Sequence, residues 1–339
     1  MEMRKLLIAA IPAGDDSVAS ARIRAHSLLR CLPLNGAEVA KNWRQADVLF
    51  VQKRITWRIL WRMRLMRWAG RLVIYDIDDS GPALSFWAPG VLFSQALACA
   101  NLVTTDTEGR MERIRSAGCT TPIAVLPDAI DYYPEGPVRC REPISSRLRV
   151  LWFGSFSNIS LFERYVGTLI AMPGVQVVVI TNPDSGAELH RRYPDIEICS
   201  WSQSSFVADL QGCHLSCLMH DGSADDRVKS NNRMITSVTW GVPSLVSDTP
   251  EYRRTAEDCG VPEAVFADPD GLRRAVETHR TTLSRIAYLD RAQRIVWKNF
   301  APGAVTSSFL GLVTQMAPVV SGGPMQFLAR VLLASRLIP

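Results

Sequence analysis

The sequence has no uninterrupted apolar stretch of the roughly 18–20 residues needed to span a bilayer, which excludes a membrane-spanning helix. It has no GxGxxG fingerprint, which argues against a dinucleotide site of that type. The opening run MEMRKLLIAAIP is too short for the apolar core and cleavage site of a signal peptide. It predicts a first β-strand instead.

Cysteines are present, but no two of them have CxxC spacing. Without a signal peptide, this pattern predicts a reducing, cytoplasmic compartment. Two cysteines and two histidines lie close together between positions 213 and 220, as metal ligands would. Because Cys213, Leu215 and Cys217 alternate as on one face of a strand, we predict buried strand residues and no metal site. The eight cysteines are Cys31, Cys99, Cys119, Cys140, Cys199, Cys213, Cys217 and Cys259.

The 339 residues, 47% of them hydrophobic, are enough for two domains with well-formed cores. Strand and helix patterns alternate in both halves, which predicts an α/β protein with two parallel-sheet domains. We place the first domain at 1–133, a proline-containing linker at 134–147, the second domain at 148–300 and C-terminal helices at 301–339. A formal charge of +5 argues only weakly for an anionic partner, and we expect no nucleic acid.

Nine strands and five helices are predicted with definite bounds. The strands are expected at 6–11, 48–52, 72–77, 102–105, 122–127, 148–153, 175–181, 196–199 and 215–219, and the helices at 17–32, 53–71, 206–210, 230–240 and 272–294. Ligands of such sheets bind at the carboxyl ends of the strands. A central cleft between the two halves is therefore the expected active site.

Residues 225–254 form the most informative stretch. Ser230 or Asn231 can cap a helix that Gly241 and Pro243 end, and a short buried strand follows. At 100° per residue one side of this helix carries Lys229, Arg233, Thr236 and Trp240, and the opposite side carries Met234, Ile235 and Val238. Cations and a hydroxyl near a helix start can hold a phosphorylated ligand. The alternative is a surface helix with solvated basic residues.

Residues 229–248, KSNNRMITSVTWGVPSLVSD, resemble the nucleotide-sugar helix of GT-B glycosyltransferases, K-x-x-x-K-x-x-E-x-x-A-x-G-x-P-V-V-A-S. Lys229 and the Gly-x-Pro turn match, Arg233 replaces the second lysine, and Thr236 replaces the glutamate that binds the donor ribose. The run from Ala100 to Asp131 is similar to another family stretch, with Asp128-Ala129 in place of Asn-Gly.

Two further loops extend the resemblance. Tyr75-Asp-Ile-Asp-Asp79 ends a strand and precedes a Trp/Pro-rich loop at 80–90, which resembles a motif in a subset of bacterial GT-B transferases. The loop at Gly154 and Ser155 corresponds to the one beside the donor diphosphate. The alternatives are that the Asp residues cap the next segment and that Gly154 begins an ordinary βα turn.

The family implies a fold of two Rossmann-like domains and transfer of a sugar from a nucleotide-diphosphate sugar, the co-substrate, with no metal or other cofactor. It assigns stabilisation of the leaving diphosphate to Lys229, Arg233 and the Gly154–Ser155 amides. Donor contacts fall at Asn232 and Thr236, and Asp78 or Asp79 orients or deprotonates the acceptor. A glycan or lipid-linked acceptor in bacterial cell-surface synthesis is expected. The alternatives are a nucleotide-sugar epimerase and a non-catalytic binding or scaffold subunit, which the replacements at 236 and 128–129 favour.

The segment 53–71 has seven basic residues and no acidic one. Trp57, Trp61 and Trp68 share one helical face, and an aliphatic face lies elsewhere on the helix. This pattern predicts peripheral contact with an anionic membrane at the inner face, to which the amphipathic segment 325–337 would add. The alternatives are a core helix with a solvated basic edge and a tail helix that covers the first domain.

Overall fold

The computed structural model describes residues 5–79, 90–136, 138–140, 145–154, 159–220 and 223–316. The chain divides into two compact units, one running to Ala129 and resuming at Pro302, the other spanning Ile130–Ala301. Each unit contains a six-stranded sheet whose paired strands are all parallel. This architecture confirms the predicted α/β class with two Rossmann-like domains.

The strands are β1 Leu6–Ile11, β2 Ala37–Val39, β3 Val48–Gln52, β4 Leu72–Ile77, β5 Leu102–Thr105, β6 Ile123–Val125, β7 Leu148–Phe153, β8 Val175–Thr181, β9 Glu197–Ser200, β10 Leu215–Leu218, β11 Ser244–Ser247 and β12 Val265–Phe266. The described α-helices are α1 Ser27–Cys31, α2 Trp57–Trp68, α3 Gly90–Cys99, α4 Glu108–Ser116, α5 Ile159–Ile170, α6 Pro183–Arg192, α7 Phe206–Gln211, α8 Asn232–Thr239, α9 Pro250–Asp258, α10 Pro269–Thr278, α11 Thr282–Phe300 and α12 Pro302–Gln315.

In each sheet the order in which strands are added switches once from one side of the first strand to the other, which we call the reversal point. The first has the order β2-β1-β3-β4-β5-β6, so the chain turns back between β1 and β3. The second has the order β12-β11-β10-β7-β8-β9 and turns back between β7 and β10. Sheets of this kind bind ligands outside the carboxyl ends of the strands at the reversal point. Each unit therefore has one preferred edge for a ligand.

Strand β3 shows why the first sheet has helices on both faces. Its alternate residues enter different clusters: Leu49 packs with the core of α2, and Phe50 packs with the core of α1 and α12. The Phe50 ring meets Phe309 of α12 edge-on, with centroids 5.7 Å apart. A strand covered on both faces has no polar alternation, which explains the uniformly apolar run at its centre.

The structure corrects two predicted helices. The predicted helix 272–294 is two helices, because α10 ends at Thr278 and α11 begins at Thr282, where the Thr281 hydroxyl accepts a hydrogen bond from the Ser284 amide. The Thr281 cap starts a new helix at this point, although the charged pattern of the sequence continues across it and suggested a single helix. Near the N-terminus, the first turns of the helix predicted at 17–32 form a π-helix, Ala21–His26, which continues into α1. Such a segment is frequent at functional sites.

Candidate functional site

Helix α8 begins at Asn232, with Asn231, one of the two predicted caps, in the N-cap position. The Asn231 side chain makes no capping hydrogen bond. Lys229 lies before the helix, in extended conformation after a short 3₁₀ turn at Asp226–Val228. The prediction that Lys229 and Arg233 share a helical face is therefore wrong, because the chain turns between the two residues. They are nevertheless connected in the fold, because Arg233 contacts His220 and Lys229 contacts Asp226, which lies beside His220.

Arg233 spans the reversal point of the second sheet. Its Nη1 donates to the carbonyl oxygen of Phe153, the last residue of β7, at 3.1 Å. Its Nη2 lies 3.4 Å from the carbonyl oxygen of Met219, just after β10, and 3.2 Å from the Nε2 of His220. These contacts hold the guanidinium plane at the edge where this fold class binds its ligands.

His220 is a neutral acceptor for that guanidinium. Burial lowers its pKa to about 4, Asp226 opposes the shift, and the charges of Arg233 and Lys229 add to it. Its ring stacks on Tyr252 with centroids 5.0 Å apart. The buried carboxylate of Asp226 lies 3.6 Å from His220 Nδ1 and 2.5 Å from Lys229 Nζ. One connected group therefore fixes both predicted cations, and sequence reasoning found neither His220 nor Asp226 as a member of it.

Gly154 packs directly against this group. A Cβ at this position would lie 2.9 Å from the Trp152 ring and 3.4 Å from Arg233 Nη1. Glycine is therefore favoured here because a side chain would collide with the Trp152 ring, whereas the guanidinium would lie at ordinary contact distance. Asn232 is half-buried at the start of α8, and Thr236 is buried with no hydrogen-bond partner for its hydroxyl among the described residues. Ser155, the other predicted donor contact, lies outside the described residues.

The corresponding edge of the first unit carries a buried ion network. Arg24 makes two hydrogen bonds to Asp76, at 2.6 and 2.8 Å, and a third to Asp128, at 2.7 Å. Beside it, Arg110 binds Asp106. Burial raises the pKa values of Asp76 and Asp106, and the charges of Arg24 and Arg110 oppose the increase. None of these pairs was predicted, because their members are far apart in sequence or read as a helix cap.

Asp78 and Asp79 share a cation that sequence reasoning did not connect to them. Lys53 Nζ lies 3.3 Å from Asp78 Oδ1 and 2.7 Å from Asp79 Oδ2. Burial would lower the pKa of Lys53, but the two carboxylates outweigh it and raise the pKa. The Asp78 side chain is 7% exposed and that of Asp79 is 29% exposed. Asp79 is thus the more accessible of the two.

Helix α2 presents what we call the tryptophan–arginine face, defined by Trp57, Arg58, Trp61, Arg62 and Trp68. Its three tryptophans are 61%, 42% and 38% exposed, in that order along the chain. The aliphatic residues Ile59, Met63 and Met66 are buried as predicted. Thr56 caps the helix by accepting from the Ile59 amide. The tryptophans are therefore partly exposed while the aliphatic side of the helix packs in the core. Both the membrane-contact interpretation and that of a core helix with a solvated basic edge agree with this arrangement.

No group of metal-binding side chains occurs among the described residues. Within the same ranges no helix combines the length and apolar character that crossing a membrane requires. The predicted amphipathic segment 325–337 and the loop 80–89 lie outside the described residues.

Comparison of the sequence with known proteins gives no match to a family model or to a curated protein. Comparison of the structure does give matches. HepE of Anabaena, solved in complex with UDP and glucose, has a TM-score of 0.64 and 11% identity over 92% of this chain and 100% of that one. A trehalose-6-phosphate structure from E. coli, bound with UDP-2-fluoro glucose, has a TM-score of 0.55 and 13% identity over 89% and 78%.

A third match is a TarM variant from S. aureus, solved in complex with fondaparinux, alpha-GlcNAc-glycerol and UDP. It has a TM-score of 0.55 and 9% identity, over 78% of this chain and 55% of that chain. Identities this low establish a common fold. The chain therefore adopts the GT-B fold of these glycosyltransferases, as its helix-turn-strand at 229–248 predicted.

Proposed function

We propose that the protein is a glycosyltransferase that moves a sugar from a nucleotide-diphosphate sugar to an acceptor hydroxyl. The observation that carries the proposal is the anchored guanidinium of Arg233 at the reversal point of the second sheet. HepE, the E. coli protein and TarM, whose fold this chain shares, were each solved with UDP or a UDP-sugar. A diphosphate is the group that such a cation fits.

The chemistry requires that negative charge on the departing diphosphate be stabilised. Arg233 is held by two carbonyl oxygens and by His220, so its charge needs little reorganisation during the reaction. Lys229 adds a second charge, held by Asp226. We propose that these two cations, with the Gly154–Ser155 amides and without a metal ion, do this work. Asn232 and Thr236 then contact the rest of the donor.

On the acceptor side, we propose that Asp79 orients the hydroxyl or accepts its proton. Asp79 lies just beyond the carboxyl end of β4 and is more exposed than Asp78. A carboxylate within reach of the hydroxyl can act as a general base. The acceptor class we propose is a glycan or lipid-linked hydroxyl in bacterial cell-surface synthesis.

The tryptophan–arginine face supports a lipid-linked acceptor in particular. Exposed indole rings favour the membrane interface, and each nearby cation contributes about 1 kcal/mol at an anionic surface. No acidic residue lies on α2. We propose that this face holds the enzyme peripherally at the inner leaflet, where the acceptor is presented.

Donor binding is tested with Lys229→Ala. A thermal-shift screen of UDP-, GDP-, TDP- and CMP-sugars first identifies the donor. The variant is then expected to lose at least about tenfold in affinity and turnover, about 1.4 kcal/mol, while Lys298→Ala, an exposed lysine of the same unit, changes neither. Unchanged binding and turnover in Lys229→Ala would sink the assignment. Binding of a donor without any turnover would favour a non-catalytic subunit.

Membrane contact is tested by co-sedimentation with vesicles. The protein is expected to bind vesicles that contain anionic lipid, to bind neutral vesicles weakly, and to be released by high salt because charge attraction is screened over a Debye length. Tryptophan emission should shift to the blue on binding. Protein that stays in the supernatant with anionic lipid at low salt would contradict the membrane proposal and favour a soluble acceptor.

A further inference from the structure

Lys53 occupies an unusual backbone position at the ligand edge of the first sheet. It follows β3 directly, beside the point where the chain reverses between β1 and β3. Its φ is +31°, in the left-handed region that side chains other than glycine rarely adopt. Its side chain is only 4% exposed. Such strain persists where surrounding contacts enforce it, and it concentrates at functional sites.

The contacts that enforce this conformation involve both ends of the residue. Its amide donates to the carbonyl oxygen of Asp76 at 2.8 Å, and its own carbonyl oxygen accepts from the buried Tyr75 hydroxyl at 2.9 Å. At the far end, Nζ donates to the Ser20 hydroxyl at 2.8 Å and to Asp79 Oδ2 at 2.7 Å. Ser20 adjoins the π-helix at Ala21–His26, so two uncommon backbone features meet at this lysine.

The side chains of Lys53, Asp78 and Asp79 differ in their exposure to solvent. The ammonium group is buried, the Asp78 carboxylate is nearly so, and the Asp79 carboxylate is partly open to a ligand. Arg110 on α4 also faces both carboxylates, and Asp76 lies behind them on β4. The cation therefore stands behind the accessible carboxylate and fixes one of its oxygens.

We propose that Lys53 is a positioning residue that aims the Asp79 carboxylate at the acceptor hydroxyl and balances its charge. The proposal rests on the glycosyltransferase function proposed above. It assigns a role to a residue that the sequence showed only as one of several cations in a basic segment. It also distinguishes the two adjacent carboxylates: Asp79 acts on the acceptor, and Asp78 completes the buried contacts of the lysine.

The test uses UDP release from UDP-glucose with water as acceptor. Lys53→Met is expected to lower kcat at least tenfold, to leave the affinity for UDP-glucose unchanged, and to move the acid limb of the kcat/KM profile to higher pH. Lys53→Arg, which keeps the charge, should return the acid limb to its wild-type position. Lys41→Met, at an exposed lysine of the same unit, should change none of these quantities.

A double variant separates positioning from a structural role. If Lys53 acts through Asp79, Lys53→Met/Asp79→Asn is no slower than Asp79→Asn alone, whereas independent effects multiply. The double variant also removes one of the two carboxylates that lose their lysine partner in Lys53→Met. Multiplying losses, or a full kcat in Lys53→Met, would overturn the proposal. Failure of the wild-type protein to bind any nucleotide sugar would instead overturn the proposed function.

Discussion

The ligand edges of the two units differ in the sign of their charge, although the two sheets share one reversing topology. The group at the first edge consists of Arg24, Lys53, Arg110, Asp76, Asp78, Asp79, Asp106 and Asp128. Carboxylates outnumber cations in it. The group at the second edge has two cations, Lys229 and Arg233, one carboxylate, Asp226, and the neutral His220. The proposed function assigns the acceptor hydroxyl to the first group and the anionic donor to the second.

The means of fixing the charges differs as well. In the first group each arginine binds a carboxylate, so that the charges are largely neutralised within the protein. In the second, Arg233 is held by carbonyl oxygens and a neutral imidazole, which orient the guanidinium without cancelling its charge. A charge kept in this way remains available to a ligand.

The largest expected effect is on stability, in the first unit. Asp76→Ala leaves Arg24 buried with a lost partner and is expected to cost about 3–5 kcal/mol in the free energy of unfolding. Glu197→Ala breaks the pair with Arg149 in the second unit, where the carboxylate is 41% exposed, and should cost about 1 kcal/mol or less. Chemical denaturation measures both. Similar losses would show that the first network is no more tightly coupled than a surface pair.

The second prediction concerns acid and the second unit. The pKa of His220 is about 4 in the fold and near 6.5 in the unfolded chain, so the unfolded state binds more protons between these values. Stability should therefore fall as the pH drops from about 6.5 to about 4. His220→Gln, which keeps an acceptor for Arg233, is expected to remove roughly 3 kcal/mol of that loss.

The control for the acid prediction is His190→Gln, because His190 is exposed. It should leave the dependence of unfolding on pH as in the wild type. Residual acid sensitivity in His220→Gln is expected from His279, since burial lowers its pKa too. An unchanged pH profile in His220→Gln would mean that this imidazole is not kept neutral by the fold.

A smaller effect is expected at Thr236. Its hydroxyl is buried and has no partner among the described residues, so Thr236→Val should stabilise the fold by up to about 1 kcal/mol. Thr239→Val, on the same helix, removes a hydroxyl that donates to the Ile235 carbonyl oxygen and should destabilise by about 1 kcal/mol. If Thr236 serves the donor, its valine variant also binds UDP-glucose more weakly by calorimetry. Equal affinity would remove Thr236 from the donor site.

The smallest effect on stability is expected on α2. Trp57→Ser changes a side chain that is 61% exposed, and the free energy of unfolding should stay within about 0.5 kcal/mol of wild type. The same variant should sediment less with anionic vesicles. A large loss of stability would show that this tryptophan belongs to the core of the first unit after all.

The regular elements could be predicted because their signals are local. Strands β1, β3, β4, β5, β7 and β8 fall at the predicted residues, since buried parallel strands are short apolar runs between turn signals. Strands β2 and β12 were missed, as 3 and 2 residues carry no readable period. The helix 272–294 was predicted as one because its charge pattern continues past the Thr281 cap.

The candidate site was only partly predictable. Lys229, Arg233, Asp78 and Asp79 were identified because helix-turn-strand and strand-end motifs keep them close in sequence. Their partners were not: Lys53 is 26 residues from Asp79, and Arg24 is 52 from Asp76. Residues this far apart in sequence form a buried pair only after the parallel strands bring their carboxyl ends to one edge of the sheet. The spacing of residues along the sequence does not indicate such a pair.

By itself, the sequence determined the positions of most strands, the two-domain α/β class and the positions of four candidate charges, because periodicity, caps and turn residues act within a few positions. Only the tertiary structure decided which of these charges are neutralised by a partner within the protein and which remain accessible to a ligand. Burial and partner geometry set the state of an ionisable group, and both come from residues that the fold brings together. Lys53 shows this most directly. In the sequence it is one of seven basic residues in the segment 53–71, and in the fold it is the buried partner of Asp79.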